Sequence, residues 1–273
     1  MLGKLIYHDF KAAARQFIPL FLFVVLMTPL TRFSFWFSDF IQKRMPQYSS
    51  YLEVIPNTVI FSYVITMIVF SMATVLILVT HFYRSMVTRE GYLTHTLPVT
   101  PLELIGAKTI VSVVWTMLSL IVAVLSVLAL FTTTDGLTDF GKSIASSMKE
   151  LHFQNQSIGM VIILFIEILM LTIAYIVFYY GKIYFCISIG QSLKDHKLLA
   201  SFGLYFAVNA LQRIISSFIM IFSTLFWELF DSMKPDQVLV YIALPFYILL
   251  FSGIAAILLA FSNFMFKKHL NLQ

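Results

Sequence analysis

Charge and cysteine are what this sequence has least of. Of 273 residues only 11% are Asp, Glu, Lys or Arg, less than half the share of roughly 25% in soluble domains. Water cannot be the solvent for most of such a surface. A soluble enzyme, a nucleic-acid binder and a disordered chain are thereby excluded. Cys186 is the single cysteine, so no intrachain disulfide, cysteine-only metal cluster or Cys-x-x-Cys pair can form. Also missing are an H-E-x-x-H zinc motif and a G-x-S-x-G nucleophile elbow, and the six histidines are scattered without ligand spacing. No catalytic role, bound cofactor or metal is expected on the chain itself.

What is abundant is apolar: 60% of residues, with mean hydropathy +0.91. These residues run in unbroken blocks. A bilayer core of about 30 Å takes about 20 helical residues, and six blocks reach that length, about 17–37, 57–80, 105–131, 158–180, 202–227 and 240–263. The fold class expected is an all-α integral membrane protein with residues 1–273 as one transmembrane domain. Trp36 and Trp227 stand near span ends, as interface anchors do, while Trp115 falls in mid-span against that pattern.

Residues 1–16 place Leu2, Leu5, Ile6, Phe10 and Ala13 on one stripe continuing to Phe17, with Lys4, His8, Lys11 and Arg15 opposite. This reads as an interfacial amphipathic helix. No small-x-small cleavage site follows the apolar block, so a removable signal peptide is disfavoured. The loops on the side of the termini hold eleven Lys and Arg, Lys108 and Lys182 among them, against six in the other loops. Cytoplasmic loops carry that excess, so both termini are expected in the cytoplasm and the chain in the cell membrane.

Two charges interrupt the spans. Glu167 lies nine residues into the fourth span and Arg213 eleven into the fifth from the opposite side; at about 1.5 Å per residue the two depths coincide. Intramembrane charges usually pair or face a polar cavity. A Glu167–Arg213 pair assisted by Asn209 and Gln212 is therefore predicted, as either a polar substrate path or a static lock between helices. In the last span Ser252, Ala256 and Ala260 form a small-residue stripe suited to close helix approach, within the chain or between two copies. Pro19, Pro29 and Pro245 are expected to kink or end their spans.

Residues Gly136, Gly141, Lys142 and Ser143 satisfy G-x-x-x-x-G-K-[ST] letter for letter. A P-loop needs a strand before it and a helix after it. This one sits in a loop assigned to the outside, with Asp135 and Asp139 repelling phosphate, and is not read as a nucleotide site.

The loop 81–108 is the most informative stretch. Thr100, Pro101 and Glu103 form a capping box with proline at the first helical position, predicting a helix that starts at Thr100. Before it, Gly91 and Pro98 bracket a short segment that offers Tyr92 and Leu93 beside charged groups, a combination suited to docking. The pattern Glu90, Gly91, an apolar-polar segment, Leu97-Pro98-Val99-Thr100 and then Gly106-x-Lys108 entering a span resembles the permease subunit of type-2 ABC exporters. The architecture resembles that family along nearly the whole chain, and the motif along residues 84–108.

The resemblance implies a coupling helix between spans two and three, seated in a separate ABC ATP-binding subunit that carries the ATP and Mg. It also implies a second permease half, identical or not, and export of a substrate that the sequence leaves unidentified, with hydrophobic, peptidic and lipid-linked compounds all open and a hydrophobic or peptidic one expected. Residues expected at the ATPase contact are Arg89, Glu90, Gly91, Tyr92, Leu93, Thr94, Leu97 and Pro98. An ion-coupled secondary transporter and a non-transporting immunity or signalling scaffold are the alternative classes; the first predicts intramembrane carboxylates and inverted repeats.

Overall fold

A computed structural model describes residues 2–44, 54–88, 99–130, 141–143, 146, 158–192, 197–229 and 242–268. Among these the architecture is all-helical. Six long helices are α1 (Leu2–Arg44), α2 (Val54–Val87), α3 (Pro101–Leu130), α4 (Ile158–Gly190), α5 (Lys197–Leu229) and α6 (Leu244–Lys268). Each is long and apolar enough to cross a membrane, and each overlaps one of the six predicted blocks over most of that block's length.

Helix α1 has 43 residues, about 64 Å at 1.5 Å per residue, roughly twice the hydrocarbon thickness. The basic start and the first span form one uninterrupted rod. Of the stripe read from sequence, Ala13 and Phe17 are buried and Leu2, Leu5, Ile6 and Phe10 partly so, whereas Lys4, His8, Lys11 and Arg15 are exposed. Pro19 and Pro29 lie inside this helix and end nothing. Around Pro29, the Thr28 and Thr31 hydroxyls donate to the carbonyls of Val24 and Met27 one turn earlier. Hydroxyl side chains of this kind help satisfy backbone groups near a proline in apolar surroundings. Pro245 stands in the first turn of α6, where a missing N–H costs nothing.

The capping box forms as the sequence predicts. Thr100 N donates to Glu103 Oε2 at 2.9 Å and Glu103 N to Thr100 Oγ1 at 3.3 Å. α3 accordingly begins at Pro101.

The chain divides into two compact units. One comprises Tyr7–Thr80 and Val114–Ala145. In it Trp115 stacks on Phe10 and Phe17 of α1, with centroids 4.7 and 4.5 Å apart and planes 21° and 10° apart. That contact, rather than an interface, is what places a tryptophan in mid-span. Further along, Ser126 of α3 bonds Thr28 of α1 at 2.5 Å and Tyr63 of α2 at 2.6 Å, while Thr74 of α2 donates to Ser119 of α3. Arg32 Nη1 donates to the Leu130 carbonyl at the end of α3. Hydroxyls thus join three helices where apolar burial gives no net drive between them.

The other unit comprises Met1–Ile6, His81–Val113 and Ser146–Gln273. Here α4 packs on α5 and α6. Gly181 lies against Ala255 and Leu259 of α6, so the close approach uses the buried Ala255. The predicted stripe Ser252, Ala256 and Ala260 is exposed instead and is not the groove within the chain. The end of α2 is held by Phe82, which stacks on Tyr184 at 3.7 Å and meets Phe266 edge-on. Ser112 of α3 bonds the Tyr184 hydroxyl at 2.7 Å.

Candidate functional site

The polar centre of the second unit is built on Lys182, which is only 3% exposed. It stands eight residues before Gly190, roughly 12 Å from that end of α4, and so lies within the helix rather than in a loop. Lys108, 2% exposed inside α3, is likewise no loop residue. Both count toward the cytoplasmic excess in the sequence, yet both side chains are buried among helices.

Lys182 Nζ donates to Asn209 Oδ1 at 2.7 Å and to Gln212 Oε1 at 2.8 Å. Three rings surround it: Phe178 at 5.5 Å, Tyr179 at 5.6 Å and Tyr205 at 5.4 Å from the nitrogen to the centroid. A ring face attracts a cation through its quadrupole within about 6 Å. Each part follows from helical spacing. Phe178 and Tyr179 precede Lys182 by four and three residues on α4, and Tyr205, Asn209 and Gln212 fall on one stripe of α5. Asn209 Nδ2 is anchored in turn on the Tyr205 carbonyl. The cage stabilises a positive charge that is costly when left unpaired inside a spanning helix.

The predicted Glu167–Arg213 pair does not form. Asn209 and Gln212 are brought together, but on Lys182. Arg213 is exposed, and Glu167 Oε2 has no hydrogen-bond partner among the described residues. The reason is register. Gly190 lies beside Ser201, and Lys182 beside Asn209 and Gln212, with α4 and α5 antiparallel. On that register Arg213 stands level with Tyr179, and Glu167 is about a dozen residues, or 18 Å, further along α4.

The predicted ATPase contact, Arg89, Glu90, Gly91, Tyr92, Leu93, Thr94, Leu97 and Pro98, lies outside the described residues. So does Gly136 of the P-loop-like motif, while Gly141, Lys142 and Ser143 are exposed. The residues flanking the contact segment are described and deeply set: Phe82, Met86 and Val87 at the end of α2, and Leu104, Ile105 and Ala107 at the start of α3, are all buried. A cleft of about 400 Å³ in the other unit is lined by Met27 and Leu30 together with the hydroxyl residues Thr31, Thr58, Ser62 and Tyr63. Among the described residues no three His, Cys, Asp or Glu side chains come together as metal ligands would. Comparison with known protein families, curated proteins and solved structures finds no match for this chain.

Sequence reasoning missed Lys182. The run Tyr179-Tyr180-Gly181-Lys182 imitates the end of a span, where aromatic residues and a lysine mark the interface. The signal against that reading was the apolar segment Ile183–Ile189 beyond it, broken only by Ser188.

Proposed function

We propose that this chain is the permease half of an ATP-binding-cassette exporter, in which a separate ATPase subunit grips the segment Arg89–Pro98 and drives the spans. The observation that carries the reading is how firmly the helix ends flanking that segment are packed. On one side Phe82 and Met86 are wholly buried, with Phe82 stacked on Tyr184 of α4. On the other, the Thr100–Glu103 capping box starts α3 two residues after Pro98 in the sequence, and Leu104 and Ile105 are 1% exposed. Force applied between two such anchors shifts the packed ends of α2 and α3 instead of fraying them. The sequence resemblance at Glu90, Gly91, Leu97, Pro98, Gly106 and Lys108 points the same way, and six spans make half of a two-permease assembly with both termini in the cytoplasm.

The test is site-directed crosslinking in native membranes. A cysteine at position 92 (Tyr92→Cys, in a Cys186→Ser background) is expected to capture a nucleotide-binding subunit, with a yield that changes when ATP is replaced by a non-hydrolysable analogue. Capture of no ATPase at positions 92, 94 and 97 alike would sink the proposal.

The buried cation Lys182 favours one second reading, an ion-coupled secondary transporter, since intramembrane ionisable groups mark ion and substrate paths. That reading requires uptake or efflux by the purified chain alone under an ion gradient; the exporter reading requires none.

A further inference from the structure

The charge at the Lys182 site is unbalanced. An ammonium has three N–H donors, and Lys182 gives two to the neutral amide oxygens of Asn209 and Gln212. Arg213 adds a second cation beside Gln212, at nearly the same level of the bundle. Among the described residues neither cation forms an ion pair. Glu167, the carboxylate of α4, is displaced along the helix by the register.

Lys182 itself is buried, but the neighbouring face of α5 is exposed among the described residues. Of the six candidate spans, α5 is the one whose most apolar stretch has no buried residue. Asn209 and Gln212 are half-buried, and Arg213, Ser216 and Ser217 beyond them are exposed.

We propose that Lys182, Asn209, Gln212 and Arg213 recognise the anionic head group, phosphate or carboxylate, of an amphiphile that reaches them from the bilayer along α5. The remaining Lys182 N–H and the Arg213 guanidinium supply charge-assisted donors, Asn209 Nδ2 being already committed to the Tyr205 carbonyl. Phe178, Tyr179 and Tyr205 give an apolar wall for the chain next to the head group. A second copy of this protein is the poorer occupant of the same face. A parallel copy in one membrane brings its own Lys182 and Arg213 to the same depth and sets like charge against like. A membrane-borne anion neutralises both cations at once.

The test needs the full-length chain alone, without any ATPase, so its outcome is independent of the exporter proposal. In a neutral detergent the protein is titrated with phosphatidylglycerol and, separately, phosphatidylcholine, and bound lipid is counted by native mass spectrometry. Phosphatidylglycerol is expected to bind the more tightly. Lys182→Gln is expected to weaken it about tenfold, the loss of one charge-assisted hydrogen bond, with phosphatidylcholine unchanged. Lys182→Arg should retain the preference, as should Lys4→Gln at the exposed start of α1. If Lys182→Gln does not fold, the exposed Arg213→Gln carries the test and is expected to weaken phosphatidylglycerol severalfold. Equal binding of the two lipids to the unaltered chain, or a preference untouched by Lys182→Gln and Arg213→Gln, would overturn the proposal. So would displacement of phosphatidylglycerol by an equimolar amount of inorganic phosphate, which would reassign the site to a free anion.

Discussion

Trp115 and Lys182 both look misplaced along the chain, and each is explained by partners that lie far away in sequence. Trp115 is 5% exposed and sandwiched by Phe10 and Phe17, so its ring holds the first turns of α1 against α3. Removing a buried aromatic of this size costs about 3–5 kcal/mol. Trp115→Ala is therefore expected to lower the unfolding midpoint of the detergent-solubilised chain strongly and to expose the start of α1 to protease, whereas Trp36→Ala, at an exposed site, should do neither. Of the four intramembrane polar residues singled out by sequence, Asn209 and Gln212 belong to one site and Glu167 and Arg213 do not meet. Residue type alone marked them as costly in lipid. Which of them touch depends on the stagger between two helices, and a span boundary misplaced by ten residues displaces that stagger by about 15 Å.

At the scale of elements, two glycines separate local rules from packing. Gly106 belongs to the Gly-x-Lys pattern at the start of α3, yet a β-carbon there would meet nothing within 4 Å. Gly190 ends α4, and a β-carbon there would fall 2.9 Å from the Ser201 backbone nitrogen and closer still to its hydroxyl. Gly106→Ala should therefore be neutral or stabilise by up to about 1 kcal/mol through helix propensity. Gly190→Ala should destabilise the chain by forcing α5 away from α4, and with it Asn209 and Gln212 from Lys182. Thermal melts of both variants and of Gly203→Ala, another open position, decide this. Helix starts were legible where a cap is written in sequence, as at Thr100-Pro101-Leu102-Glu103. They were not legible at Pro19 and Pro29, because a proline kinks or passes according to which neighbouring groups take up the freed carbonyls.

At the scale of the whole molecule, the six apolar helices predict a sidedness that the single cysteine makes measurable. Cys186 is 2% exposed and should resist a membrane-impermeant maleimide in intact cells. In a Cys186→Ser background, Lys142→Cys is expected to label from outside, and Tyr92→Cys only after the membrane is opened. Labelling of both from the same side would break the six-span topology, and labelling with the sides exchanged would reverse it. The number of spans, their order and the start of α3 were determined by the sequence itself, because an unbroken run of about 20 apolar residues and a capping box are properties of neighbours along the chain. The tertiary structure alone decided that Lys182 is buried, that its partners are Asn209 and Gln212, that Trp115 closes on α1, and that Ala255 is the small residue in contact. These depend on the axial stagger and rotation of one helix against another. In lipid those are set by the fit of side chains at the contact, information that no single helix carries.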